Sequence, residues 1–541
     1  MNNSLRFVEA LALRVLRSCW RSAIAIAAIG ITTLAVAPAC SAQEGEKEGS
    51  DLGPGCAPNR PAIPHHAGGV MVHAKNGEKA PIPCSTRTGF RTGEVSLVVN
   101  NSGSIVFQPA LASETTGFPV GVLRSTDRGE HWNFITEGPS IPPRSQGDDL
   151  NFWLDRQTGR MFWTTTLQPP YANDPPRVDH SDDEGRTWTA SSPLPVFYDH
   201  TQVFGGPPTE GMKGLMNGYP NVVYTCVSGG ATCGVHGFCG THCTKSLDGA
   251  MTFEASVALP YPPECPAPGV FPTGGYGLAG VVDRDGTVYV PFTPCERPYV
   301  AVSRDEGSTW QLSLVADTET IGWGELALGM DEKGNLYAAW AGFADRLPYL
   351  AISRDSALHW SKPLMIAAPG VNEAAEPQLV AGARGQVAVT YYGSKNAPQP
   401  FPKPCTGLSV ICAGYEHETW DTYITETWNA LEESPLLWSA TLNDPAHPTW
   451  FGVTPSAMRL DDTGYEGGSM ADMMGGGPSV GGRMDYYGMT MGPDGTPWVG
   501  FAQECPRGLP VPGNPICPST LNGSLPDGLF GMVGRLVRMP N

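Results

Sequence analysis

The densest run of metal-type ligands in the sequence is Cys226, Cys233, His236, Cys239, His242 and Cys243. Thiolates and imidazoles so close together hold zinc when four of them can close a tetrahedron. This spacing matches no closed four-ligand site, so the run is read as two disulfides and no metal. A second pattern is a set of carboxylates, Glu94, Asp149, Glu325, Glu376 and Asp485, each at the head of an apolar segment that runs into a glycine-punctuated turn. Carboxylates at matching places either supply acid and base groups to one site or form a ring of hydrogen bonds between repeated units, and the spacing leaves both readings open. Between Tyr465 and Tyr487, Met470, Met473, Met474 and Met484, with Met489 just beyond, stand among many glycines. Thioethers bind soft metals, but a loop over one face is the simpler expectation.

The elements that must position these groups are short strands. Seven hairpins can be read, beginning near Glu94, Asp149, Gly214, Gly277, Glu325, Glu376 and Asp485. Each pairs an apolar strand with a second one rich in Val, Tyr and Trp across an Asn/Asp/Gly turn. Repetition on this scale indicates an all-β architecture of radial four-stranded sheets, a β-propeller, which protects its strand edges by closing a ring. The hairpin count predicts seven blades.

A second signature follows the hairpin in five copies. Ser125-Thr126-Asp127-Arg128-Gly129-Glu130-His131-Trp132 is repeated around Ser181/Asp183/Gly185/Trp188 and Ser303/Asp305/Gly307/Trp310, and in looser form around Ser246/Asp248/Phe253 and Ser353/Asp355/Trp360. This resembles the Asp-box, or bacterial neuraminidase repeat. Its physical logic is local: the carboxylate accepts from backbone N–H groups across the turn, glycine permits positive φ, and the indole packs the exit strand. These aspartates are therefore expected to be structural.

Asp-box propellers resemble the sialidase superfamily over roughly residues 86–541, which implies the fold and a class of chemistry. Sialidases are six-bladed, so the resemblance and the hairpin count differ by one. The family combines an arginine triad for the substrate carboxylate, a tyrosine nucleophile helped by a glutamate, and an aspartate acid/base. Phe90-Arg91 resembles the start of the family's Phe-Arg-Ile-Pro element, with Thr92-Gly93 in place of Ile-Pro. The resemblance thus implies Arg91 for the carboxylate, Asp149 (or Asp148) as acid, Glu325 as helper and Tyr486 or Tyr487 as nucleophile, with Arg297 and Arg483 as further arginine candidates. It also implies an alternative, because similar boxes occur in non-catalytic propellers that bind a glycan or a protein partner.

The first forty residues carry Arg6, Arg14, Arg17 and Arg21, then an uncharged run from Ala23 to Ala37. That run is shorter than the ~20 residues of a membrane-spanning helix, so residues 1–40 are expected to be a signal peptide. Ala37-Pro38-Ala39-Cys40 resembles a bacterial lipoprotein box, giving lipidation at Cys40, with cleavage near Ala39 or Ala42 as the alternative. Residues 41–85 are polar and proline-rich, a linker or an N-terminal wrap, and the propeller is expected over 86–541. Twelve cysteines remain after Cys19 and Cys40 are set aside, an even number that suits an oxidising compartment. The expected local pairs are 56–84, 265–295, 405–412 and 505–517, with Cys226, Cys233, Cys239 and Cys243 paired among themselves.

Glycine (66) and proline (52) are abundant and only 16% of residues are charged, so turns are many and long helices few. The net charge of −19 repels phosphate backbones and no aromatic-laced basic stripe offsets it, which excludes nucleic acid as a partner. The expected partner is an extracellular glycan or a cell-surface protein, engaged by a monomer that needs no cofactor.

Overall fold

The computed structural model describes residues 52–74, 78–92, 95–109, 122–135, 151–164, 177–195, 199–229, 240–265, 279–320, 326–398, 418–451, 488–505 and 528–539. They form seven antiparallel sheets, the blades of one β-propeller, and the described residues hold no helix beyond two three-residue 3-10 turns. The innermost strands, in blade order, are Val95–Val99, Asn151–Leu154, Asp199–Gly206, Val281–Val282, Ala327–Met330, Glu373–Ala381 and Met489–Met491. Six of the seven hairpins fall where the sequence puts them. The third does not: its inner strand is Asp199–Gly206, and the Gly214 stretch lies in the 207–221 connection ahead of Val222–Gly229. Asn217-Gly218 looks like a hairpin turn, whereas two glycines inside the true strand, Gly205 and Gly206, disguise it.

Those glycines have a packing reason. A Cβ on Gly205 would stand 2.6 Å from the Trp153 ring, and one on Gly280 would stand 2.5 Å from Phe204. At blades three and four the backbone is thus left bare where an aromatic of the preceding blade lies against it, at the radius where the inner strands crowd together.

The ring closes with strands from both ends of the described chain. Ile82–Arg91 is the outermost strand of blade seven and pairs antiparallel with Gly528–Val537, from Ile82 opposite Val537 to Arg87 opposite Met532. Upstream, Ile63–His66 and Val70–Met71 add two strands to the edge of blade six, and Ile63 pairs with Ser439. The expected boundary at residue 86 therefore falls inside a strand of the closing blade. The Cys56–Cys84 disulfide ties this segment down, and Arg535 reinforces it by donating to the Leu52 and Arg128 carbonyls at 2.7 and 3.1 Å.

Antiparallel pairing divides the connections between two ends of the propeller. Turns joining first to second and third to fourth strands lie at one end, and the other connections lie at the opposite end. At the first end the aspartate turns repeat one geometry. In blade two, Ser181 Oγ donates to Asp183 Oδ1 at 2.8 Å and accepts from Gly185 N at 2.8 Å, while the Thr187 N–H and hydroxyl donate to the two Asp183 oxygens at 2.8 and 2.7 Å. Blades one, three, four and five repeat the pattern. Two consecutive residues take positive φ in each, including Ser356 and Ala357, where no glycine is present.

Candidate functional site

The seven inner strands enclose an axial cavity of about 300 Å³. Its polar lining includes Ser96, Asn151, Gln202, Gln378 and Thr490, set among apolar groups and Trp153. Part of this polarity holds the ring together: Ser96 Oγ accepts from Phe152 N at 2.8 Å, and Asn151 Oδ1 accepts from Val203 N at 2.9 Å, each across to the next blade. At the aspartate-turn end, the Arg156 guanidinium reaches from blade two past Asn101 Oδ1 (3.3 Å) to the Met491 carbonyl of blade seven. That side chain spans part of this end of the cavity, from blade two to blade seven.

The opposite end gathers charge in the interior. Glu373 opens the inner strand of blade six, Glu418 precedes the third strand, Thr419–Thr427, and Arg346 comes from the connection between second and third strands of blade five. Arg346 donates to Glu373 Oε1 at 2.6 Å, and both glutamates are buried. Desolvation raises the Glu373 carboxyl against the pull of Arg346; desolvation, together with the Glu373 charge, pushes Glu418 up to about 9. Both Arg346 (φ 54°) and Glu376 (φ 54°) take left-handed backbone, the latter in a bulge between Ala375 and Gln378. Backbone of this kind in non-glycine residues persists only where surrounding contacts over-determine it.

Of the five carboxylates at matching repeat positions, Glu376 is the one among the described residues; it is buried and lies within the inner strand, not at its head. Asp149 (with Asp148), Glu325, Tyr486, Tyr487 and Arg483 lie outside the described residues, as do Cys40, Cys405, Cys412, Cys517, Cys233, Cys239 and most of the methionine-rich stretch; Cys505 is described by its backbone, which ends the strand Pro497–Cys505. Arg91 is described by its backbone, which ends the outermost strand of blade seven opposite Phe530. Arg297 is partly exposed at the surface and pairs with Asp317 at 3.3 Å. Three expected or compatible disulfides are present: Cys56–Cys84, Cys265–Cys295 and Cys226–Cys243, the last joining residues directly opposite on adjacent strands. They are consistent with an extracellular or periplasmic location, and no helix among the described residues is long and apolar enough to cross a membrane. The Arg346–Glu373–Glu418 group was missed in the sequence. Its signal there is slight: two glutamates of opposite parity between Val371 and Val380, where strand alternation would put at least one of them inside.

No protein-family model matches the sequence. No curated protein matches it either. Among solved structures, the chain is similar to a protein of unknown function from Dyadobacter fermentans (12% identity, 84% of this chain and 98% of that one, TM-score 0.37). It is also similar to the NanB sialidase from Streptococcus pneumoniae (11%, 86% and 70%, TM-score 0.35) and to the Aleuria aurantia lectin (10%, 66% and 97%, TM-score 0.35). Likeness at this level bears on no residue of the site.

Proposed function

We propose that this chain is an exported propeller that engages an extracellular glycan at the end of the axial cavity away from the aspartate turns, and cleaves it as a glycoside hydrolase of the sialidase type. The observation that supports this is where three of the inner strands start. Inner strands begin at Asn151, Ala327 and Met489, two residues after Asp149, Glu325 and Tyr487. Residues that lead into inner strands share one rim, as an acid, a helper and a nucleophile must. Tyr486 or Tyr487 attacks with Glu325 as its base, since a phenol keeps its proton to pH ~10 without one; Asp149 protonates the leaving oxygen, and Arg91 pairs with a substrate carboxylate. A signal peptide over 1–40 delivers the chain, and a lipid on Cys40 tethers it.

The test is turnover of a fluorogenic sialoside and a panel of aryl glycosides by the parent protein and by Tyr486→Phe, Tyr487→Phe, Glu325→Gln and Asp149→Asn. Loss of an acid, base or nucleophile costs at least ~10²-fold while the thermal midpoint stays put. Unchanged rates in every variant would remove this mechanism. A second reading, a non-catalytic propeller that holds a glycan or protein, is favoured by the wall itself: Trp153 and the neutral amides of Gln202 and Gln378 suit contact with sugar rings. Glycan binding by a parent that turns over none of the substrates would select it.

A further inference from the structure

The buried Arg346–Glu373–Glu418 group has a hydrogen-bonding imbalance that points to a bound proton. Glu373 Oε2 and both oxygens of Glu418 are buried and accept no hydrogen bond of ordinary geometry. Glu373 is 0% exposed and Glu418 2%. The Ser394 hydroxyl, at the end of the second strand, bears on Glu418 but gives its proton to Asn396 Oδ1 at 3.2 Å. What Glu418 does meet is the carboxyl of Glu373, at hydrogen-bonding range. Two carboxylates offer each other four acceptors and no donor, so contact between them is favourable only when one carries a proton.

Charge leads to the same place. Arg346 is the cation that acts on both members of the pair, and it donates directly to Glu373. With both carboxyls ionised the group carries a net negative charge in the interior. With one proton it is neutral, and burial of a neutral, hydrogen-bonded set is far less costly.

We propose that Glu373 and Glu418 share one proton, and that this proton fastens three segments of the blade five and blade six junction: the 342–347 connection, the head of the blade six inner strand and the entry to its third strand. The groups bearing on the pair are Arg346 from blade five, Ser394 from the second strand of blade six, and the two carboxyls themselves. Retention of the proton in the folded state fixes the sign of the pH dependence. The unfolded carboxyl titrates near ~4.3, so the folded state binds the extra proton between there and the alkaline range. The stabilisation is full at acid pH and declines as pH rises toward 9, where Glu418 titrates in the fold.

The experiment is a thermal midpoint series from pH ~5 to ~9 on the full chain and on Glu418→Gln, which is permanently neutral and can donate to Glu373. A parallel infrared spectrum of the parent at pH 7 looks for the carbonyl stretch of a buried protonated carboxyl. The expected result is a downward shift of the parent midpoint across the series that is smaller in Glu418→Gln, and an acid band in the parent. If Glu418→Gln fails to fold, Glu373→Gln takes its place, and the acid band must lose intensity in the variant, since Glu426 and Asp179 are also raised by burial and would still contribute. No acid band, or equal slopes in parent and variant, would overturn the proposal. So would a midpoint at pH 7 that rises with calcium and falls with EDTA, because the pair would then hold a cation in place of the proton.

Discussion

The two ends of this propeller solve opposite problems with the same residue type. At the aspartate-turn end Asp331 is surrounded by donors: it accepts from the Lys333 and Asn335 N–H groups, from the Tyr337 hydroxyl at 2.9 Å and from Gly385 N at 2.9 Å, which belongs to the next blade; Glu426 at the same end is the exception, with Gln386 Nε2 at 2.9 Å as its donor and burial pushing it up to about 8. Although burial works the other way, the donors around Asp331 hold its carboxyl below its usual range. At the far end, Glu373 and Glu418 have one cation and each other, and burial pushes both up. Donor-rich carboxylates are ionised struts that cost little to keep; donor-poor ones respond to the medium, which is the behaviour expected near a working surface. The connections differ accordingly. Six of the seven first turns have only five or six residues between strands, whereas far longer intervals separate Ser394 from Thr419, Phe451 from Met489 and Cys505 from Gly528.

The largest break in this division concerns closure of the ring. Replacing Cys56 and Cys84 with serine frees a 28-residue separation, and a cross-link of that span contributes about 3 kcal/mol. Urea unfolding should show that loss in the double variant, together with loosening of the strand pair 82–91 and 528–537 in hydrogen exchange. Retention of full stability would mean that pairing with Gly528–Val537 closes the ring unaided.

A somewhat smaller effect is expected from Asp331→Ala, which orphans the buried Tyr337 hydroxyl and the Gly385 N–H in one step. The cost is about 2 kcal/mol, from donors left without partners. Glycan binding or turnover by the fraction that remains folded should be unaffected, since the change lies at the end away from the proposed rim. A selective loss of binding with intact stability would reverse the assignment of roles to the two ends.

How much of this could be read in the sequence follows from how local each interaction is. The aspartate turns were legible because Ser181, Asp183, Gly185 and Thr187 satisfy one another within six residues. The hairpins were legible for the same reason, except where Gly205 and Gly206 interrupt the strand pattern to admit Trp153 and Val282. The ring closure was not, because Ile82–Arg91 finds its partner more than 400 residues away and its composition, with Pro83 and Gly89, resembles a loop. Glu373 and Glu418 escaped notice on similar grounds: they are 45 positions apart, and only the turn of the blade brings them together.

The smallest effect separates aspartate turns that look alike. Blades one and five place His131 and His359 where blades two, three and four have Thr187, Thr252 and Thr309. His131 Nδ1 lies 2.7 Å from Asp127 Oδ2, and that hydrogen bond, with the aspartate's charge, raises the imidazole pKa. Asp127, despite slight desolvation, is held down at about 2 by the His131 N–H, the ring and the Ser125 hydroxyl. The signs follow from linkage. The histidine's contribution is present below its unfolded value near ~6.5 and fades as pH rises through the higher folded value; the aspartate's is present above ~3.9 and fades as pH falls toward 2. The turn is therefore firmest in the mildly acid range, whereas a threonine turn has no such upper limit. Both groups are solvent-exposed, so screening keeps the effect slight. The check is His131→Thr: the midpoint difference between parent and variant should favour the parent more at pH ~5.5 than at pH ~8. A difference that is the same at both would show that the imidazole acts in this turn only as a neutral acceptor or donor, as the threonine hydroxyl does in its neighbours.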